Sequence, residues 1–266
     1  DASFIVNTTP IGMYPKNGFA AVDLERFDSC LGVIDIIFNP SKTKLLLDAE
    51  RLGIPCIHGL PMLVAQAKQA FELFTSQISV DGLSSEASSL DGLSVAEIID
   101  GITAQIEFMT KNIVLIGMPG CGKSTVGAVL ATKLSRDFVD IDLEIEKRIN
   151  MSICDFFAEY GEPAFRKIES EILDEFSRKS GLIIATGGGV IKNPLNHQLI
   201  KQNAVIVMLN RPLNELATDG RPISMSCSME KLEQERLPIY KAWKDFDVPC
   251  STPEQTACTI INCLSI

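Results

Sequence analysis

The stretch NIVLIGMPGCGKSTVGAVLATKL, residues 112–134, decides how this chain is built. Asn112 to Gly117 is a short apolar run rich in Val and Ile, the composition of a buried parallel strand. It breaks at glycine into GMPGCGKST, which fits G-x-x-x-x-G-K-[ST]. Gly117, Gly120 and Gly122 let the backbone turn tightly enough for successive N–H groups to face phosphate oxygens. Lys123 can then reach the outer phosphates, and the Ser124 hydroxyl can ligate Mg²⁺. Val126, Val129, Leu130 and Leu134 recur at helical spacing, so a helix N-terminus is expected to face the same anion. A chance glycine-rich turn would not bring strand, loop and helix together in this order.

The rest of the chain frames that loop. Its 266 residues suit one large or two ordinary domains, and 46% apolar content suffices for a packed core. A net charge of −10 argues against general affinity for nucleic acid or an anionic membrane surface, so the basic residues that matter should be local to a phosphate site. No run of eighteen apolar residues predicts a membrane span, and no signal-like segment opens the chain. A start of DASFIVNTTP without Met leads us to expect a longer natural protein. The eight cysteines, at 30, 56, 121, 154, 227, 250, 258 and 263, form no C-x-x-C pair, and one lies inside the phosphate loop. Reduced thiols in the cytoplasm fit this pattern better than disulfides or zinc ligands. His58 and His197 are isolated and read as structural or solvated.

Residues 76–94, SQISVDGLSSEASSLDGLS, have linker composition, and a domain boundary is placed there. A short amphipathic segment, VAEIIDGITAQIEFM, precedes the strand at 112. The expected organisation is a first domain over residues 1–76, linker and short helix over 77–110, and a phosphate-loop domain over 111–266.

Four stretches beyond the loop carry chemistry. DFVDIDLEIEKRI puts Asp140 and Asp142 two apart at the end of an apolar strand, pointing half a period apart, so that one can approach a metal and the other an acceptor hydroxyl; a solvated acidic helix start would look similar. GEPAFRKIESEIL places Arg166 and Glu169 one helical turn apart, where a carboxylate can orient the guanidinium, though an exposed ion pair has the same spacing. LIIATGGGVI runs from a strand into Gly187, Gly188 and Gly189, which suggests a ligand pressed against bare backbone. ATDGRPISMS and ERLPIYKAW supply Arg221, in a segment expected to act as a mobile flap, and Arg236, expected near a helix end or turn because a proline follows closely.

Residues 112–266 resemble the shikimate kinase family: GMPGCGKST, DID, FRKIE, TGGGV, DGRP and RLPIY occur in that family's order and at closely similar spacing. The resemblance implies an α/β P-loop kinase domain whose parallel sheet is flanked by helices. It implies that Gly120, Cys121, Gly122, Lys123, Ser124 and Thr125 hold ATP and that Ser124 with Asp140 handles Mg²⁺. It further implies that Asp142, Arg166, Gly188, Gly189 and Arg236 hold shikimate, that Arg221 is a lid arginine meeting the phosphates, and that Lys123, Asp142 and Arg221 carry catalysis in a monomeric kinase domain. The short lid LATDGRPIS lacks the additional upstream arginine that many members carry near the adenine. A gluconate or nucleotide kinase would keep the loop but has no reason to keep FRKIE, TGGGV and RLPIY together. A regulatory nucleotide binder would be expected to have lost Lys123, Asp142 or the glycine triplet.

Residues 1–76 contain FIVNTTPIGM, VIDIIFNPSKTKLLLDAERLG and HGLPMLVAQAKQAFELFT, which together resemble the C-terminal part of shikimate dehydrogenase. This resemblance implies half of a Rossmann-like NADP-binding domain, with the loop after FIVN and Gly59 beside NADP and Gln66 beside shikimate. The family's catalytic lysine and aspartate and its glycine-rich pyrophosphate loop have no counterpart in these residues, and Phe38 stands where a tyrosine is usual. A bifunctional protein catalysing two neighbouring steps of aromatic biosynthesis is therefore expected, with no dehydrogenase activity from this stretch alone.

Overall fold

The computed structural model describes residues 2–76, 95–216 and 229–264. The chain divides into two units, Asp1–Met109 together with Ile266, and Thr110–Ser265.

In the first unit, three parallel strands, β1 (Phe4–Asn7), β2 (Gly32–Asp35) and β3 (Cys56–Ile57), lie side by side in that order. Helix α1 (Lys44–Arg51) starts at Thr43, whose hydroxyl accepts from Leu46 N and donates to the buried Asp35 carboxylate. Leu45, Leu46 and Ala49 of α1 then bury one face of the sheet against Val33. On the sheet, Val6, Ile34 and Ile57 stand in register across the three strands and all remain exposed. Gly59 follows β3 and opens helix α2 (Leu60–Ser76). The amphipathic stretch before the phosphate loop is helix α3 (Val95–Thr110), whose Glu107 pairs with His58 at 2.8 Å.

The second unit holds a five-stranded, wholly parallel sheet. The strands are β4 (Asn112–Ile116), β5 (Phe138–Asp140), β6 (Ile183–Ala185), β7 (Ala204–Asn210) and β8 (Phe246–Pro249), and their spatial order is β5-β6-β4-β7-β8. All five residues of β4 are buried, which explains why its sequence is unbroken Val, Ile and Leu after Asn112 instead of alternating. Helices α4 (Lys123–Leu134), α5 (Ile141–Ile149), α6 (Ile153–Ser177), α7 (Leu195–Lys201), α8 (Met229–Trp243) and α9 (Pro253–Leu264) join and cover the strands. Because β4 has β6 on one side and β7 on the other, successive crossovers leave it in opposite directions. The C-terminal end of β4 is therefore a topological switch point, the place where such sheets bind ligands.

Two expectations need correction. Arg236 lies in the interior of α8, not near its end. Pro238 removes one helical donor, but burial of Leu232, Arg236, Tyr240 and Trp243 along one face carries the helix through. Asp140 and Asp142 do not alternate along a strand. Asp140 ends β5 and caps α5, its Oδ1 accepting from the N–H of Asp142 and Leu143 at 3.0 and 3.4 Å, so Asp142 already belongs to a helix.

Candidate active site

The loop between β4 and α4 is shaped by its glycines. Gly120 and Gly122 adopt φ of 81° and 99°, which side chains disfavour, and Gly122 begins α4 with no side chain capping the first turn. Lys123 is buried, its Nζ donating to the carbonyls of Gly117 and Met118 at 2.9 and 3.0 Å and lying 3.7 Å from Cys121 Sγ. One turn of the same helix presents Ser124, whose hydroxyl donates to Asp140 Oδ2. Loop, lysine, serine and aspartate thus share the C-terminal edge of β4 and β5.

The glycine triplet is the point on which the remaining groups converge. A Cβ at Gly187 would stand 2.7 Å from Asp142 Oδ1 and 3.1 Å from Glu169 Oε1. At Gly188 it would meet the Pro119 ring at 2.7 Å, and at Gly189 the Arg166 guanidinium at 2.3 Å. The groups that crowd the three glycines are the protein's own: phosphate loop, acidic helix start and arginine. None of the three glycines has a left-handed φ, so crowding and not backbone conformation demands glycine here.

Around this point the charges are ordered by burial. Arg166 Nη1 pairs with Glu169 Oε2 at 2.7 Å and Nη2 with Glu162 Oε1 at 2.9 Å, while Lys192 also reaches Glu162 at 2.7 Å. This is no solvated ion pair, since Glu169 is 1% exposed. Burial pushes the Glu169 carboxyl up to about 7, opposed by Arg166 and assisted by the neighbouring Asp142 charge. Burial would lower Arg166, but its two carboxylates outweigh that and hold its pKa above the ordinary value. Arg236 is 4% exposed and donates through Nη1 to the Gly188 carbonyl at 2.8 Å, while its Nε and Nη2 find no hydrogen-bond partner among the described residues. A buried guanidinium with two idle donors is costly unless an anion completes it.

Lys123, Ser124, Asp140, Asp142, Arg166, Gly188, Gly189 and Arg236 are thus assembled by the fold at the switch point, and Arg221 falls outside the described residues. Sequence reasoning missed Pro119, Glu162 and Tyr240. Tyr240 left a readable signal, standing four residues after Arg236 and hence on the same helical face. In the first unit, a cavity of about 410 Å³ lies beyond the ends of β1 and β2, lined by Thr8, Thr9, Met13, Tyr14 and Phe38 among others. Gly59 and Gln66 do not line it. Gly59 lies against the Ile36 carbonyl, and Gln66 is exposed on α2. Among the described residues there is no cluster of three or more His, Cys, Asp or Glu suited to a metal, and no helix is long and apolar enough to cross a membrane.

A phosphate-binding loop on the central strand of a five-stranded parallel sheet, with a lysine, a serine–aspartate pair, a half-buried and a buried arginine at its mouth, defines a P-loop phosphotransferase. The shikimate kinase family model matches residues 119–265. The chain belongs to the shikimate kinase family, a family of transferases. It is 40% identical over 140 residues to a shikimate kinase of Clostridium botulinum, covering 50% of this chain and 84% of that protein. A Prochlorococcus marinus shikimate kinase is 42% identical over 154 residues, covering 55% and 77%. Among solved structures, shikimate kinase from Acinetobacter baumannii in complex with shikimate superposes with a TM-score of 0.56 at 29% identity, over 60% of this chain and 96% of that one. The Aquifex aeolicus enzyme gives 0.52 at 34% identity, over 57% and 95%.

Proposed function

We propose that the chain transfers the γ-phosphoryl group of ATP to the 3-hydroxyl of shikimate. The observation that carries this reading is the pair of arginines flanking Gly188 and Gly189, one of them buried with two donors unpartnered among the described residues. Such donors suit the carboxylate of a small polyhydroxylated acid, and a relative of the same fold is known in complex with shikimate. Arg166 and Arg236 orient the acceptor, and Asp142, next to Gly187, aligns its hydroxyl and takes the proton as that oxygen attacks the γ-phosphorus. The bond to the bridging oxygen breaks and ADP leaves. Lys123 and the N–H groups of residues 120–125 hold the phosphates, and Arg221 is assigned to the same anion as a further cation. Ser124 and Asp140, already in contact, are the two hard oxygen donors suited to Mg²⁺, which when bound would neutralise charge on the phosphate oxygens.

Residues 1–76 are, in the same proposal, the C-terminal part of a shikimate dehydrogenase NADP-binding domain, and the complete protein is bifunctional. Parallel β1, β2 and β3, with α1 on one face, support a half-Rossmann origin. Coupled ADP release with shikimate, quinate and gluconate as separate acceptors tests the kinase reading. Turnover on shikimate is expected, and turnover on gluconate but not shikimate would refute it.

A further inference from the structure

Three successive glycines have the most to lose in conformational freedom, and no side chain of their own can anchor them. Something else must hold the peptide joining Gly188 to Gly189. Two donors do so, both from α8 and both on its buried face. Arg236 Nη1 reaches the Gly188 carbonyl at 2.8 Å, and the Tyr240 hydroxyl donates to the same oxygen. A carbonyl has two lone pairs, so it can satisfy both donors at once. Arg236 and Tyr240 are one helical turn apart, 4% and 0% exposed, so neither can exchange this partner for water. Because a trans peptide is planar, with its C=O and N–H pointing oppositely, drawing the Gly188 oxygen toward α8 turns the Gly189 N–H away from that helix.

We propose that Tyr240 is a positioning residue for the phosphoryl acceptor: its hydroxyl clamps the Gly188 carbonyl, fixing the Gly188–Gly189 peptide and the Arg236 guanidinium that shares it, without touching acceptor or nucleotide. This rests on the shikimate kinase reading above. Losing the clamp leaves the glycines freer and Arg236 less well aimed, so the acceptor must bear the ordering at each binding event. The nucleotide loop, held by its own hydrogen bonds and by α4, is spared. Burial pushes the Tyr240 hydroxyl's pKa up, which keeps it a neutral donor through the working pH range.

Tyr240→Phe keeps the ring and deletes only the donor. KM for shikimate is expected to rise about fivefold, as for one neutral hydrogen bond, while KM for ATP stays within twofold and the melting temperature holds within a few degrees. Shikimate titration without nucleotide gives an independent readout through Trp243, the single tryptophan, three residues further along α8. The apparent dissociation constant there should weaken by the same factor. An unchanged KM for shikimate, or equal increases for both substrates, overturns the inference. So does a Tyr240→Phe chain that fails to fold, because the hydroxyl would then be structural. A wild-type chain inactive on shikimate overturns this inference together with the reading beneath it, whereas an active wild type with an indifferent variant overturns this inference alone.

Discussion

Asp142 and Glu169 are two carboxylates facing one glycine, and their surroundings set them different tasks. Asp142 sits in the first turn of α5 beside Gly187, whereas Glu169 is 1% exposed and tied to Arg166. Asp142→Asn keeps the shape and removes the proposed proton acceptor. Turnover should fall by about 10²–10⁴, with nucleotide binding by calorimetry nearly unchanged. Lys123→Ala should instead weaken nucleotide binding directly. Glu169 has a different signature, because burial raises its pKa from 4.5 to about 7. The folded chain then holds a proton that the unfolded chain has released, so stability from this group is complete below pH 4.5 and is lost as pH rises through about 7. Urea midpoints taken across that window should decline for the wild type and decline less for Glu169→Gln; parallel slopes would count against this account.

Elements, not single residues, decide which glycines can be replaced. The phosphate loop needs glycine for its dihedrals, at Gly120 and Gly122, whereas the triplet after β6 needs it for space. Gly189→Ala would press on the Arg166 guanidinium, the movable end of a long side chain, so the fold should survive. Acceptor binding should suffer, with KM for shikimate rising about tenfold and KM for ATP little changed. Gly59 contrasts with it. A Cβ there would stand 1.9 Å from the Ile36 carbonyl oxygen, which belongs to backbone and cannot swing aside. Gly59→Ala should cost about 3 kcal/mol or more in the first unit, seen as early loss of its unfolding transition, with kinase turnover per folded molecule unaffected. Close packing of Gly59 onto the backbone after β2 is by itself enough to require glycine there.

At the scale of the whole molecule, the two units should be separable in function. The second unit, Thr110–Ser265, contains its own parallel sheet and a core cluster drawn from β4 to α9. A chain of residues 109–266 is expected to fold and keep most of the kinase turnover; an insoluble or inactive product would show that residues 1–108 complete the core. The 266-residue chain should form no NADPH from NADP and shikimate, since residues 1–76 supply neither a glycine-rich pyrophosphate turn nor a placed base.

Much of the second unit was legible in the amino-acid order because its information is local. GMPGCGKST is strand end, loop and helix start in nine consecutive residues, and FRKIE fixes one helical turn of charge. Periodicity and turn chemistry act over such distances. What only the tertiary structure decided depends on what surrounds a residue from distant parts of the chain. The spacing of Arg166 and Glu169 suits a solvated pair as well as a buried one, and it is α5, Gly187 and Gly189 closing over them that removes water and raises Glu169. Pro238 argues for a helix end, and α8 continues because Leu232, Tyr240 and Trp243 gain more by burial than one missing donor costs. The triplet TGGGV announced close approach, but only folding shows that Pro119, Asp142 and Arg166, from three separate stretches, arrive there. Propensity is a property of neighbours in sequence, while burial, charge and crowding are set by neighbours in space.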